Sequence, residues 1–250
     1  MRSVVFTDID ETLTRSARRS PPEPDALLAA TDRAGEPTSY QSPAQGALFA
    51  LLCGADRVVP VTGRSVDAYR RVRLPFHAEA VVHHGAVVLH EGGARDEDYH
   101  ALVAAELRAA DEVLASAFAR VTNWIPRARC PLRVYRQVVD GLTAEVCVKH
   151  VDPEGRELGE GGDELEAAWA SLDGVRVYRN GNNLALLPAA VDKARAVAWL
   201  RARLLDRLGP LMTVGVGDSV TDYGFMAACD FYVVPSGSQL DGRIARAAAP

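Results

Sequence analysis

A short apolar run followed by two closely spaced acids constrains the fold of this chain more than any other feature. Residues 4–7 predict a buried strand, and Asp8 and Asp10 follow where that strand should end. Open α/β sheets bind ligands at the carboxyl ends of their strands. Two carboxylates that converge there repel each other unless a cation lies between them, and a divalent cation with oxygen ligands is the natural partner. The segment therefore predicts either a metal-assisted site with Asp8 as a nucleophile or a strand that runs into an acidic turn.

The early part of the chain alternates between strand and helix patterns, which is typical of a parallel sheet covered by helices. The predicted elements are strands at 4–7, 57–61, 79–83 and 86–90 and helices at 45–54 and 65–73. Residues 15–24 and 35–43 predict loops, with a short helix at 25–33 between them. A loop that leaves the acidic edge either covers a site or is a solvated excursion.

The pattern changes after residue 88. A long helix, a hairpin around Asp140-Gly141, a second helix and a second hairpin around Asn180-Gly181 are predicted at 98–121, 132–150, 163–172 and 175–187. The first pattern then resumes with a helix, a strand, a helix, a strand and a closing helix at 191–208, 211–216, 225–229, 231–234 and 238–249. We therefore expect an α/β core formed by residues 1–87 and 185–250, with an inserted α+β domain over residues 88–184.

The composition is that of a soluble globular protein, with 48% hydrophobic and 24% charged residues among 250. A net charge of −5 does not indicate nucleic-acid binding, and no apolar run is long enough to cross a membrane. The apolar patch at the N-terminus is too short for a signal peptide, so a cytoplasmic protein is expected. The cysteines form no C-x-x-C pair and predict buried free thiols, although counting alone leaves a disulfide open: Cys53, Cys130, Cys147 and Cys229.

Polar groups follow three of the predicted core strands, and strands that run the same way deliver their carboxyl ends to one edge. Asp8 and Asp10 follow the first strand, Thr62 follows the second, and Asp218 and Asp222 follow the strand at 211–216. Several acids, a hydroxyl and glycine turns fit a hard cation with an oxyanion. A helix that starts near Lys193 adds a compact positive charge suited to phosphate.

Four of these segments resemble, in order, the four motifs of the haloacid dehalogenase (HAD) superfamily: Asp8-Ile9-Asp10-Glu11-Thr12, Thr62-Gly63-Arg64, Lys193, and Gly217-Asp218 with Asp222. The insertion lies between the second and third motifs, as do the C2-type caps of Cof-type, sucrose-phosphatase-like and mannosyl-3-phosphoglycerate-phosphatase-like members. The resemblance implies a Rossmann-like parallel-sheet core with an α+β cap. It also implies a Mg²⁺-dependent phosphatase that acts on a small phosphorylated metabolite, with a sugar phosphate as the leading candidate.

The resemblance assigns a role to each matching residue. Asp8 would attack phosphorus, and Asp10 would protonate the leaving alcohol and then take a proton from water. The remaining roles are Mg²⁺ binding by Asp8, the Asp10 carbonyl and Asp218 with Asp222 nearby, phosphoryl binding by Thr62, Gly63 and Lys193, and orientation of the turn by Thr12.

Alternatives stay open for several of these residues. Lys193 could be a solvated helix lysine, Arg64 could only pair with an acid such as Asp67, and Asp222 could simply cap the following helix. Two departures from the family concern other positions. Glu11 stands where many relatives have glycine and others have glutamate. His83-His84-Gly85-Ala86 stands where Cof-like relatives often have Asn-Gly-Ala, and we expect structural or capping roles for both histidines.

Period-two alternation sorts the strands of the first predicted hairpin into two faces. The mainly apolar face, which includes Arg136 and Val138, should contact the helices of the inserted domain. The other face is polar and comprises Arg133, Tyr135, Gln137, Glu145 and Lys149. In the family this face covers the active site, which implies that it binds the leaving group of the substrate. A sheet face that is merely solvated is the alternative.

Two other functions are compatible with the same motifs. A phosphomutase uses the same pair of acids but retains and turns round a bisphosphorylated intermediate. A catalytically silent phosphate-binding or regulatory protein is the other alternative, although the intact acids at all expected positions argue against it. A small phosphorylated metabolite is the expected partner, with neither nucleic acid nor membrane, and no oligomeric state is predicted.

Overall fold

A computed structural model of the chain describes residues 1–128, 131–151, 158–180 and 182–248. The strands are β1 (Arg2–Thr7), β2 (Arg15–Ser16), β3 (Leu27–Thr31), β4 (Pro37–Gln41), β5 (Arg57–Pro60), β6 (Ala80–Val82), β7 (Val87–Leu89), β8 (Leu132–Val139), β9 (Leu142–His150), β10 (Val175–Asn180), β11 (Asn183–Pro188), β12 (Leu211–Val216) and β13 (Phe231–Val233). The helices are α1 (Pro43–Leu52), α2 (Val66–Tyr69), α3 (Glu97–Trp124), α4 (Gly159–Ala170), α5 (Lys193–Leu208), α6 (Val220–Ala227) and α7 (Gln239–Ala248).

The chain divides into two compact units, which confirms the predicted mixed α/β class with an α+β insertion. Unit 1 contains Met1–Asp96 and Asp192–Pro250, and unit 2 contains Glu97–Val191. Both boundaries lie later than the expected ones at 87/88 and 184/185. The first lies later because β7 still pairs with β6, and the second because β11 pairs with β9 and β10.

A four-stranded parallel sheet with the order β13-β12-β1-β5 forms the centre of unit 1. Val5 of β1 lies opposite Val58 of β5 and Val214 of β12. Val4 and Phe6 are completely buried, because a central parallel strand is covered on both faces. The apolar run at residues 4–7 is therefore explained by its place in the middle of the sheet.

Residues 15–43 correct two predictions, since they form a three-stranded antiparallel sheet rather than loops with a short helix. The physical reason lies in the turn between β3 and β4. The Asp32 carboxylate accepts hydrogen bonds from the N–H groups of Ala34 (2.8 Å) and Glu36 (2.9 Å), and Gly35 supplies the left-handed backbone with a φ of 89°. This local turn reverses the chain and pairs β3 with β4, which overrides the helical propensity of Leu and Ala.

The predicted strands at 79–90 exist, but they do not continue the four-stranded parallel sheet. β6 and β7 form an antiparallel pair, and a parallel bridge between Val61 and Val81 joins β6 to the end of β5. The chain reverses through His83, His84 and Gly85, which have positive φ angles of 51°, 55° and 98°. Parallel strands need a long crossover connection, so a turn as short as this one can join only antiparallel strands.

Unit 2 contains a four-stranded antiparallel sheet with the order β10-β11-β9-β8, and both predicted hairpins are present. One face of the sheet packs on α3 and α4. The core between them contains buried side chains from both layers: Leu114, Val121, Leu165, Trp169, Val146, Val148, Leu184 and Leu186. The turn residue Gly181 lies outside the described residues.

The cysteine prediction is partly wrong. Cys53, Cys147 and Cys229 are free thiols, but only Cys147 is buried. Cys53 is exposed because it caps the C-terminal end of α1 at the surface. Cys130 lies outside the described residues. Among the described helices, none has the length and apolar character needed to cross a membrane.

Candidate active site

Three aspartates from two motifs converge at the carboxyl edge of the parallel sheet. Asp8 follows β1, and its N–H donates to the carbonyl of Val216 at the end of the neighbouring strand β12 (2.8 Å). Asp218 follows β12, and Asp222 lies in the first turn of α6. One carboxylate oxygen of each aspartate lies within 4.8 Å of the others, and all three residues are buried. The sequence predicted this convergence from the common direction of the strands in a parallel sheet.

Lys193 lies inside this carboxylate cluster. Its Nζ is 2.7 Å from Asp8 Oδ1 and 2.7 Å from Asp222 Oδ1, and its side chain is 7% exposed. The position is fixed by the start of α5, where the Asp192 carboxylate caps the helix by accepting from the Ala194 and Arg195 N–H groups. The alternative of a solvated helix lysine is therefore wrong.

Burial and mutual repulsion control the charges of this cluster. Burial raises the pKa of Asp8 well above its ordinary value; Lys193 opposes this rise, and the neighbouring carboxylates add to it. Burial and then Asp222 raise the pKa of Asp218 to about 7. Burial disfavours the ammonium of Lys193, but Asp222 and Asp8 outweigh this effect and raise its pKa above the ordinary value. One ammonium thus faces three buried carboxylates.

The donor set of this cluster fits Mg²⁺. Mg²⁺ prefers hard oxygen ligands, and the cluster offers carboxylate oxygens from Asp8, Asp218 and Asp222. Burial raises the pKa values of Asp8 and Asp218 most, and the neighbouring carboxylates raise them further; a divalent cation would offset both effects.

Asp222 caps α6, as the alternative interpretation expected, and it also belongs to the carboxylate cluster. Its Oδ2 accepts hydrogen bonds from the Ser219 N–H (3.1 Å) and the Ser219 hydroxyl (2.6 Å), which caps α6. Its Oδ1 faces Lys193. Only glycine fits beside it at position 217, since a Cβ atom there would lie 2.6 Å from the Asp222 Cβ.

Asp10 is not one of the three clustered aspartates, and its carboxylate pairs with Arg64. Arg64 Nε is 2.8 Å from Asp10 Oδ2, and Arg64 Nη2 is 2.6 Å from Asp10 Oδ1. Arg64 also donates to the Ser39 hydroxyl (3.4 Å). The suggested pairing of Arg64 with Asp67 is wrong, because the Asp67 carboxylate is bonded by Arg33 and Arg71. Sequence reasoning missed the Asp10 partner, although Arg64 belongs to the turn that follows Thr62.

The remaining predicted site residues lie around the same sheet edge. Thr62 is fully buried, and its hydroxyl accepts from the Arg64 N–H (3.1 Å). Gly63 follows it without a side chain. The Thr12 hydroxyl donates to Asp218 Oδ1 (3.4 Å), so it links the first motif to the fourth. The roles of Thr62 and Gly63 in phosphate binding stay predictions.

Glu11 has a structural role that could not be inferred from the presence of glycine or glutamate at this position in the family. Its backbone is left-handed, with a φ of 64°. Its carboxylate accepts from the Ser16 N–H (3.1 Å) and lies 3.7 Å from Arg19. Glu11 thereby ties the turn after β1 to the segment that begins with β2.

In unit 2 the predicted substrate residues share one face of the sheet. Arg133 lies opposite Lys149, and Tyr135 lies opposite Cys147, whose thiol donates to Asn183 Oδ1 (2.6 Å). The Lys149 ammonium stacks on the Tyr135 ring, 5.6 Å from its centroid. Burial raises the pKa of Tyr135 and raises that of Cys147 to about 12. Residues Gln137 and Glu145 pair on the same face.

The predicted alternation holds for most of the hairpin and fails near its turn. Arg136 lies on the helix-facing side, with its guanidinium 5.4 Å from the centroid of the Phe118 ring. The register shifts between Gln137 and Val138, and Val138 is 41% exposed instead of buried against the helices. This irregularity is the physical reason. When one strand of a pair contains one additional residue, the side chains beyond that point change to the other face of the sheet.

No protein-family model and no curated protein matches the sequence. Several solved structures match its fold. A sucrose-phosphatase from Synechocystis sp. PCC6803 is 16% identical, with 99% of this chain and 98% of that chain covered and a TM-score of 0.52. The C-terminal domain of the C. albicans trehalose-6-phosphate phosphatase is 18% identical, with 91% and 73% covered and a TM-score of 0.58. A haloacid dehalogenase-like hydrolase from Bacteroides thetaiotaomicron is 14% identical, with 99% and 100% covered and a TM-score of 0.50. The chain therefore has the fold of the haloacid dehalogenase-like hydrolases, as its four sequence motifs predicted.

Proposed function

We propose that the chain is a Mg²⁺-dependent phosphomonoester hydrolase that works through an aspartyl-phosphate on Asp8. The single observation that carries the proposal is the contact of Lys193 with Asp8 inside the carboxylate cluster, 2.7 Å from Nζ to Oδ1. A carboxylate nucleophile and a phosphate ester repel each other, so positive charge must lie beside the nucleophile. Lys193 provides one such charge from the protein itself.

Asp8, Asp218 and the main-chain carbonyl of Asp10 would hold Mg²⁺, with Asp222 beside them. When bound, Mg²⁺ neutralises charge on the phosphoryl oxygens and orients the ester for in-line attack. Lys193, Thr62 and Gly63 would bind the same phosphoryl group through an ammonium, a hydroxyl and a backbone N–H.

The chemistry itself belongs to two aspartates. An Asp8 oxygen attacks phosphorus, and the bond from phosphorus to the leaving oxygen breaks. Asp10 donates a proton to that oxygen, so the leaving group departs as an alcohol. Asp10 then accepts a proton from a water molecule that attacks the aspartyl-phosphate. The bond from phosphorus to Asp8 breaks, which releases inorganic phosphate and restores the nucleophile. Arg64 would hold the Asp10 carboxylate in place between the two steps.

A sugar phosphate is the substrate class that we propose. The solved structures of similar fold include a sucrose-phosphatase and a trehalose-6-phosphate phosphatase. The polar sheet face of unit 2 carries donors and acceptors suited to hydroxyl groups: Arg133, Tyr135, Gln137, Glu145 and Lys149. Only two of the 28 basic residues are lysines, one in the carboxylate cluster and the other, Lys149, on this face. A compact ammonium thus occurs only at these two positions.

The proposal is tested by phosphate release from p-nitrophenyl phosphate, with Mg²⁺ and with EDTA. We expect Mg²⁺-dependent turnover that falls by about a thousandfold or more in Asp8→Asn, as for the loss of a covalent nucleophile. Asp67→Asn removes an exposed carboxylate of the same unit and should retain turnover. Activity that survives in Asp8→Asn would refute the nucleophile, and isomerisation of a sugar phosphate without release of phosphate would indicate a phosphomutase. A panel of sugar phosphates then identifies the preferred ester.

A further inference from the structure

The turn between β6 and β7 has an unusual backbone for its sequence. His83 and His84 both have left-handed φ angles, 51° and 55°, and Gly85 continues the turn at 98°. A left-handed backbone brings the Cβ atom close to the following carbonyl oxygen, so glycine or asparagine is the usual occupant. Strained residues of this kind are retained where the surrounding structure demands them, often at functional sites.

Hydrogen bonds fix this turn to the segment that begins with Thr62. The His84 N–H donates to the Thr62 carbonyl (3.1 Å), and the His83 N–H donates to the Arg64 carbonyl (2.8 Å). The His83 imidazole accepts from the Val66 N–H at the start of α2 (3.1 Å). The side chain of His83 therefore has a structural role, as the sequence predicted for both histidines.

The other side of the turn packs on the start of α5. A Cβ atom at Gly85 would lie 2.3 Å from the main-chain carbonyl oxygen of Asp192 and 3.0 Å from the main-chain nitrogen of Lys193. Glycine is thus required at position 85 for the close approach. The turn consequently lies between two segments to which phosphate-binding residues are assigned, the one with Thr62 and Gly63 and the one with Lys193.

The His84 side chain lies over Gly63. A Cβ atom at position 63 would be 2.3 Å from both Cε1 and Nε2 of the His84 imidazole. His83 and Gly85 are buried, whereas His84 is partly exposed. The strained backbone thus places a partly exposed imidazole beside Gly63, to which phosphate binding is assigned.

We propose that His84 is a substrate-binding residue whose imidazole donates a hydrogen bond to the phosphate group bound at Gly63. The inference rests on the proposed function, because it assigns the phosphate site to this sheet edge. The ligand class is a phosphate monoester or inorganic phosphate, and the contact adds an imidazole N–H donor to the donors proposed for Lys193, Thr62 and Gly63. This role replaces the structural one expected for His84 and leaves that of His83 unchanged.

Two substitutions separate a binding role from a structural one. His84→Gly removes the imidazole but suits the left-handed backbone, so the melting temperature should not fall. His84→Asn also tolerates this backbone and keeps an N–H donor. His77→Gly removes an exposed histidine elsewhere in unit 1 and serves as the control.

The affinity for inorganic phosphate is measured by calorimetry in the presence of Mg²⁺, together with KM for p-nitrophenyl phosphate. We expect His84→Gly to weaken phosphate binding about tenfold, as for one hydrogen bond to a charged group, and His84→Asn to weaken it by less than about threefold. His77→Gly should bind as the wild type does, and KM should follow the phosphate affinity.

Three results would overturn the assignment: wild-type affinity in His84→Gly, equal weakening in both His84 variants, or a wild type that binds no phosphate. Failure of the proposed function is a separate result. It would appear as a wild type without Asp8-dependent turnover, whereas the calorimetric comparison of the His84 variants does not need turnover.

Discussion

Single residues in this site are defined by the charges that surround them. Lys193 touches Asp8 and Asp222 at once, so an ammonium lies beside the carboxylate that we propose as the nucleophile. The positions of Asp8, Asp218 and Lys193 could be predicted from the sequence, because the ends of parallel strands and the starts of helices determine which residues reach the sheet edge. The pairing of Arg64 with Asp10 could not be predicted, since it depends on how two turns far apart in sequence face each other.

Arg64→Met tests the residue-scale role of this pair. The substitution removes both hydrogen bonds that Arg64 donates to the Asp10 carboxylate and so weakens the control of its orientation. We expect kcat/KM for a sugar phosphate to fall about tenfold to a hundredfold, because a small misplacement of a proton donor costs this much. Arg64→Lys should not restore full activity, since one ammonium cannot form the bidentate contact.

The matched control for this prediction is Arg33→Met. Arg33 is an exposed arginine that pairs with Asp67, so its loss should leave kcat/KM unchanged. Wild-type kcat/KM in Arg64→Met would show that Asp10 needs no partner.

At the scale of elements, one aspartate fixes the start of the central strand. The Asp56 carboxylate, just before β5, accepts from the Ser3 N–H (2.8 Å) and hydroxyl (2.9 Å) and from Arg2 (2.7 Å), all in β1. The Ser3 backbone hydrogen bond is the largest cause of a pKa of about 2 for Asp56. Since this value lies below that of an aspartate in an unfolded chain, the ionised group stabilises the fold.

Asp56→Asn therefore has an effect that depends on pH. The stabilisation by Asp56 is fully present above about pH 4 and is lost as the pH falls through about 2. The variant should melt below the wild type at pH 7, and the gap between the two melting temperatures should be smaller at pH 3. Asp206→Asn, at an exposed position of α5, is the control and should show no gap. A gap that stays constant or widens toward pH 3 would contradict this account.

Elements whose own residues indicate their structure could be predicted from the sequence. Elements that depend on pairing with another segment could not. The 28-residue helix α3 follows from its apolar spacing, and the β8–β9 hairpin from Asp140-Gly141, whose φ angles are 49° and 83°. β3 and β4 were missed because an Ala- and Leu-containing segment suits a helix until its pairing partner is known. The irregularity after Gln137 was missed for the same reason, since only the partner strand reveals it.

For the molecule as a whole, the division into two units suggests a division of tasks. Unit 1 contains all four motifs and the carboxylate cluster, whereas unit 2 contains the polar sheet face. In the function proposed above, unit 1 performs the reaction on any phosphate ester, and unit 2 binds the sugar. The order of elements allowed the insertion to be predicted, but the exact boundaries depend on the pairing of β7 and β11.

Substitutions on the sheet face of unit 2 test this division. We expect Arg133→Ala and Lys149→Ala each to lower kcat/KM for the preferred sugar phosphate about tenfold, because each removes a charged donor to the substrate. Their kcat/KM for p-nitrophenyl phosphate, which has no sugar, should stay within about twofold of the wild type. Arg203→Ala, an exposed position of α5, is the control. Unchanged kcat/KM for the sugar phosphate in both variants would contradict a role for this face.

The most direct test of the account is to locate the phosphoryl group on the protein during turnover. The protein is mixed with a sugar phosphate and Mg²⁺, quenched in acid within milliseconds, digested with an acid-active protease and examined by mass spectrometry. An aspartyl-phosphate on Asp8 would appear as a phosphoryl group on the peptide that contains Asp8, and no such group should appear in Asp8→Asn. A phosphoryl group on a different residue, or turnover by Asp8→Asn at the wild-type rate, would contradict the account.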